Sequence, residues 1–83
     1  MSWFVYIIQC SDNSLYTGIS TDVDRRFNEH KNHKGAKYFY SHTPVKVVHI
    51  ETAMNRSFAT KRELAIKKLA VDKKWDLIFS AKK

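Results

Sequence analysis

The chain has little of what divides or spans a larger protein. One proline and two glycines in 83 residues leave no linker, repeat or low-complexity tract. The lone Cys10 excludes an internal disulfide and a cysteine-based zinc site, and in an apolar strand it reads as a small buried hydrophobe. The longest apolar run, Trp3 to Ile8, is six residues, far below the roughly 20 that cross a bilayer. The amino terminus lacks a basic region followed by a hydrophobic stretch and a small-residue cleavage site, so the expectation is a cytoplasmic protein. Acidic residues are also few, eight against fifteen basic ones, for a net charge of +7.

That excess is uneven. Residues 1 to 55 hold six basic and five acidic side chains, whereas residues 56 to 83 hold nine and three. A field concentrated in one third of the chain favours polyanions, of which nucleic acid is the commonest in a cytoplasm. Lysines that merely keep the surface soluble are the plainer explanation. With 43% hydrophobic content, the length suits one domain with one modest core.

Trp3 to Cys10 is β-branched and aromatic without alternation, which predicts a central strand covered on both faces. Ser11 to Ser14 is a turn cluster in which Asn13 tolerates a left-handed conformation, and Leu15 to Ile19 returns as the second strand of a hairpin. A two-residue turn at Asp12-Asn13 would put Tyr6 and Tyr16 on opposite faces, because side chains alternate. A loop of Ser11-Asp12-Asn13 instead sets Tyr16 against Ile8 and Tyr6 against Gly18, with both tyrosines diagonal on one face. Gly18 is expected to end that strand, where backbone bends or a ligand comes close.

Thr21 or Asp22 can cap a helix that starts near Val23, with Asp22 and Asp24 placing negative charge in the first turn. At 3.6 residues per turn, Val23, Arg26, Phe27 and His30 share one face, so the apolar anchors carry an arginine and a histidine to the same side. Exposed helix pairs of Arg26 with Asp22 and of Arg25 with Glu29, at about 0.3–0.5 kcal/mol each, would equally account for the arginines. A histidine beside an apolar stripe is also commonly structural.

Lys31 to Pro44 has turn residues and no clear period, and reads as a loop. Its lysines alternate with Tyr38, Phe39 and Tyr40, a combination that can meet phosphates while a ring stacks; capping the core is the other use of those rings. His30 and His33 have H-x-x-H spacing, a weak metal signal without further ligands. Val45 to Thr52 predicts a third strand. Arg56 to about Ala70 predicts a second helix after Asn55, and Asp72 a cap for a short helix through Trp75, Ile78 and Phe79. Glu63 lies at the border of the second helix's apolar stripe, where it either pairs with Lys67 or Arg56 or ligates a metal in a cleft.

Taken together, Val5-Tyr6-Ile7, Tyr16-Thr17-Gly18, Arg26, His30 and Glu63 resemble the GIY-YIG nuclease domain. More narrowly, Cys10 to Gly18, Arg25 to His30, Gly35 to Tyr38, Pro44-Val45 and Arg62 to Lys68 are similar to the small stand-alone GIY-YIG proteins of bacteria, in order and at matching spacing across nearly all 83 residues. The resemblance implies one domain over residues 1–83 of α+β type: a three-stranded, mainly antiparallel sheet flanked by helices, in the order β-β-α-β-α-α. It also implies phosphodiester hydrolysis with one divalent metal, Mg²⁺ or Mn²⁺. By the same resemblance Tyr6 and Tyr16 are the motif tyrosines, Arg26 holds the scissile phosphate, His30 assists proton transfer and Glu63 is the metal ligand. Phe4 departs from the glycine of the first motif, and Ile19 stands where some of these nucleases carry a lysine that helps activate water.

The expected function is therefore a metal-dependent endonuclease acting on DNA, in repair or recombination, with a protein partner supplying its target. Lys34, Lys37, Tyr38, Lys67 and Lys68 are the expected nucleic-acid contacts. A planar Arg26 fork and a metal on Glu63 suit the charge that spreads over a phosphodiester in its transition state. A tyrosine base would need neighbouring positive charge from the metal, Arg26 or a charged His30. A non-catalytic nucleic-acid-binding module, or an interaction scaffold, would account for the charge without the site.

Overall fold

The computed structural model describes residues 2–81; residues 1, 82 and 83, at the ends of the expected domain, lie outside the described residues. Three strands, β1 (Trp3–Cys10), β2 (Leu15–Ser20) and β3 (Pro44–Ala53), form one antiparallel sheet in the order β2-β1-β3. Three helices, α1 (Val23–Lys31), α2 (Arg56–Lys67) and α3 (Val71–Ser80), and a 3₁₀ helix (Lys37–Tyr40) cover its two faces.

β1 is central and buried on both sides, as its unbroken apolar run predicts. Val5 and Ile7 point to the layer of α2 and α3 and pack with Ala59, Ile66 and Ile78. Tyr6, Ile8 and Cys10 point the other way and pack with Val23 of α1 and Phe39 of the 3₁₀ helix. Cys10 is buried and free.

The β1–β2 hairpin has the register that puts the tyrosines together. Tyr6 pairs with Gly18 and Ile8 with Tyr16. Asn13 takes φ 67° at the end of the loop Ser11-Asp12-Asn13, the left-handed residue that a three-residue hairpin loop needs. Asp12 fastens the loop by accepting from the Ser14 hydroxyl at 2.6 Å and by pairing with His42 at 2.7 Å.

Asp22 is the cap of α1, its carboxylate accepting the Arg25 N–H at 3.0 Å, and Asn55 caps α2 by accepting from Phe58 N–H at 3.0 Å. Four details differ from the sequence expectation. β2 does not end at Gly18 but runs on to Ser20, since Ile19 and Ser20 still pair with Val5 and Phe4 of β1. The loop after α1 contains the 3₁₀ helix, too short to leave a periodic pattern. α2 stops at Lys67, because Ala70 turns extended to start α3. Asp72 is not the cap of α3 but lies in its first turn, where a carboxylate still meets the positive end of the helix dipole.

Candidate active site

A cleft of about 390 Å³ opens at the β2 edge of the sheet, where side chains from β1, β2, α1 and α2 converge. Tyr6, Tyr16, Arg26 and Glu63 line it together. The Tyr6 and Tyr16 ring centroids are 6.4 Å apart. Both rings lie over Gly18, where an added Cβ would fall 2.5 Å from the Tyr6 hydroxyl and 3.1 Å from Tyr16. That close approach, rather than unusual backbone geometry, is what requires glycine at this position.

His30 is fully buried behind Tyr6 and does not line the cleft. Its Nε2 lies 2.9 Å from the Tyr6 hydroxyl, and its Nδ1 accepts the Ala36 backbone N–H at 3.4 Å. With Nδ1 accepting, the neutral ring carries its proton on Nε2 and donates it to Tyr6. Gly35 lies against the same ring so closely that a Cβ there would overlap Nδ1.

Electrostatics sort these groups. Burial, with Arg26 nearby, pulls His30 down to about 4, so it is neutral at physiological pH. A charged His30 is therefore not available to activate a tyrosine, which corrects one of the three sources of positive charge weighed from the sequence. Burial also raises Tyr6, with Tyr16 adding to the rise and Arg26 opposing it; burial raises Tyr16 as well. Both phenols hold their protons until more positive charge arrives.

Arg26 is engaged: its Nη1 donates to Glu29 at 2.9 Å. Glu63 pairs with Lys67 at 3.6 Å, and its side chain is 17% exposed. So the pairing and the cleft position weighed for Glu63 coexist. Among the described residues no group of three or more His, Cys, Asp or Glu could cage a metal. A lone carboxylate fits a hard, hydrated Mg²⁺, which keeps several waters and shares phosphate oxygens, better than a closed transition-metal site.

Of the other expected contacts, Lys34, Lys37, Lys67 and Lys68 are all exposed, and the Lys67 ammonium is the one paired with Glu63. Tyr38 is half-buried, 5.4 Å from Tyr16 and stacked on His42 at 4.1 Å between centroids. Sequence reasoning missed Trp3, Arg25 and Arg56 in the cleft lining. Arg56 lies 5.7 Å over the Trp3 ring. Its spacing of seven from Glu63, two helical turns, was the available signal.

A sequence model of the GIY-YIG catalytic domain matches residues 2–76. The chain belongs to the GIY-YIG family. A UPF0213 protein of Desulfotalea psychrophila is 49% identical over 83 residues, covering 99% of this chain and 76% of its own. One of Haloquadratum walsbyi is 51% identical over 74 residues, covering 89% and 83%. The solution NMR structure of a UPF0213 protein from Bacillus halodurans superposes with a TM-score of 0.60 at 40% identity, over 94% of this chain and 83% of that one. That of a protein from E. faecalis gives 0.65 at 34% identity, over 100% and 90%. In this GIY-YIG chain Phe4, at the first-motif glycine, packs on the α1 side of the sheet, and Ile19 lines the cleft without supplying a cation.

Proposed function

We propose that this protein is a metal-dependent endonuclease that hydrolyses DNA phosphodiester bonds. In this reading it is a single GIY-YIG domain over residues 1–83, cytoplasmic, acting in repair or recombination with a partner that selects its target. The observation that carries the reading is the convergence of Tyr6, Tyr16, Arg26 and Glu63 from four elements on one open cleft.

In this reading the scissile phosphate enters beside Arg26, whose planar fork matches two phosphate oxygens. Arg25 and Arg56 hold the flanking strand. Water forms the new P–O bond as the bond to the departing oxygen breaks. One tyrosine of the pair first loses its proton to solvent under the positive charge of Arg26 and a bound cation, and as a phenolate it then takes the water's proton. His30, donating Nε2–H to Tyr6, positions that hydroxyl and stabilises it once it is negative. A Mg²⁺ or Mn²⁺ bound at Glu63 supplies Lewis-acid stabilisation of charge on the phosphate.

The other reading, a nucleic-acid-binding module without catalysis, draws on the internal pairing of Arg26 with Glu29 and of Glu63 with Lys67. One comparison separates them: cleavage of supercoiled, branched and single-stranded DNA with Mg²⁺ or Mn²⁺, beside metal-free binding, for four variants. Glu63→Ala should abolish cleavage and leave binding equal or slightly tighter. Arg26→Ala should lose on the order of 10²-fold or more in turnover and some affinity. Tyr6→Phe and Tyr16→Phe, folded but slow, would mark which oxygen takes the proton. An unmutated protein that cuts nothing with any divalent metal would leave the binding module.

A further inference from the structure

The lysine and aromatic stretch from Lys31 to Tyr40 divides unequally between core and solvent. Phe39 is buried and Tyr38 is wedged between Tyr16 and His42. Tyr40 is left 64% exposed. Its ring stacks on His33 with a 6° interplanar angle and 5.1 Å between centroids, and its hydroxyl donates to the His33 carbonyl at 3.3 Å. One face of the phenol is thus supported and the other open. Lys34 and Lys37, both exposed, lie between the two in sequence.

The backbone that places His33 is itself unusual. α1 ends in two bonds, His33 N–H to the His30 carbonyl at 3.2 Å and Lys34 N–H to the Glu29 carbonyl at 2.8 Å. This is the helix-terminating arrangement whose left-handed residue is most often glycine. Here that residue is His33, at φ 59°. A side chain held in this conformation costs stability and gains nothing for the helix end. What it gains is the ring beneath Tyr40.

We propose that His33 and Tyr40 form a stacking platform for an unpaired nucleobase, so that the substrate is nucleic acid with a single-stranded portion. The inference rests on the nucleic-acid reading of the cleft, since the lysines would hold the backbone while Tyr40 holds a base. Base–aromatic stacking is indifferent to sequence, because every base has a π-face.

The test is metal-free binding of three probes by the full chain: an oligothymidine, an abasic strand of the same length and a duplex. Tyr40→Ala should weaken oligothymidine binding about fivefold or more and leave the abasic strand and duplex unchanged; Tyr40→Phe should keep most of the affinity. Lys37→Glu should weaken all three. His33→Gly is the decisive variant: it relieves the left-handed strain, so the protein should melt no lower than the original while oligothymidine binding falls. Unchanged oligothymidine binding by Tyr40→Ala, or an equal loss on all three probes, would overturn the platform. Cleavage by the same proteins is scored separately: loss of stacking in a protein that never cuts supports the platform and removes only the enzyme, whereas intact cutting and binding by Tyr40→Ala removes only the platform.

Discussion

His30 donates its Nε2 proton to the Tyr6 hydroxyl across 2.9 Å, with the direction set by the Ala36 N–H that occupies Nδ1. A histidine so placed is a buried positioning group for the tyrosine in the cleft, and protonation would cost it the Ala36 bond at Nδ1, because both nitrogens of a charged ring are donors.

Stability should therefore depend on the His30 proton. The unfolded ring titrates near 6.5, while burial and Arg26 lower it to about 4 in the folded protein. Between those values the unfolded chain binds the proton and the folded chain does not, so stability is complete above about 6.5 and is lost as pH falls toward 4. His30→Gln keeps a donor toward Tyr6 without titrating. Melting temperatures across pH 4 to 7 should fall less steeply for that variant, and parallel curves would refute the assignment.

Gly18→Ala should damage the site more than the fold. The new Cβ would fall 2.5 Å from the Tyr6 hydroxyl and 2.7 Å from its Cζ, and His30 holds that hydroxyl from behind. Overpacking of this kind costs about 1–3 kcal/mol. Adding Tyr6→Phe removes the closest contact, so in denaturant melts the double variant should be more stable than the sum of the singles. Strict additivity would mean that Tyr6 moves freely.

Lys67 couples binding to the metal. At 3.6 Å from Glu63 it neutralises the carboxylate proposed to hold the cation. Lys67→Ala should weaken metal-free DNA binding slightly and lower the Mg²⁺ concentration for half-maximal cleavage. Lys68→Ala, on an exposed neighbour, should weaken binding alone. Both affinities should drop strongly between about 50 and 200 mM salt if phosphate contacts drive association. Metal titrations of the two variants that coincide would show Glu63 to be indifferent to Lys67.

Much of this was legible in the sequence because it depends on local rules. The doubly buried β1 follows from an apolar run without alternation. The Tyr6–Gly18 register follows from an odd loop whose last residue, Asn13, accepts a positive φ. The shared face of Arg26, Phe27 and His30 follows from helical period. What was not legible depends on contacts between distant segments: the Ala36 N–H on His30, the fit of Gly35 against that ring, and the meeting of Arg56 with Trp3. No spacing rule joins a strand at residue 3 to a helix at residue 56. The sorting of Tyr38, Phe39 and Tyr40 between core and solvent was illegible for a related reason, since a 3₁₀ turn of four residues is shorter than any period that could be counted.

Glu29 should behave as a gate on Arg26. Its carboxylate accepts from Arg26 Nη1 at 2.9 Å and lies 4.0 Å from Arg25, and the Arg26 hydrogen bond holds its carboxyl below the usual range. At neutral pH it is therefore a fixed negative charge in the cleft lining, and a phosphate arriving at Arg26 must displace it and overcome its repulsion. Glu29→Gln keeps the shape and a hydrogen-bond acceptor while removing the charge. Metal-free binding should tighten, because the guanidinium forks become free for phosphate oxygens. Turnover should change less than binding, since Glu29 has no assigned contact with the reacting atoms. Arg26→Ala abolishes the partner, so adding Glu29→Gln to it should recover little beyond the general loss of one negative charge. Fluorescence anisotropy with a labelled duplex, for both single variants and the double, measures this directly. Unchanged or weaker binding by Glu29→Gln would mean that the Arg26–Glu29 pair is the form that meets the phosphate.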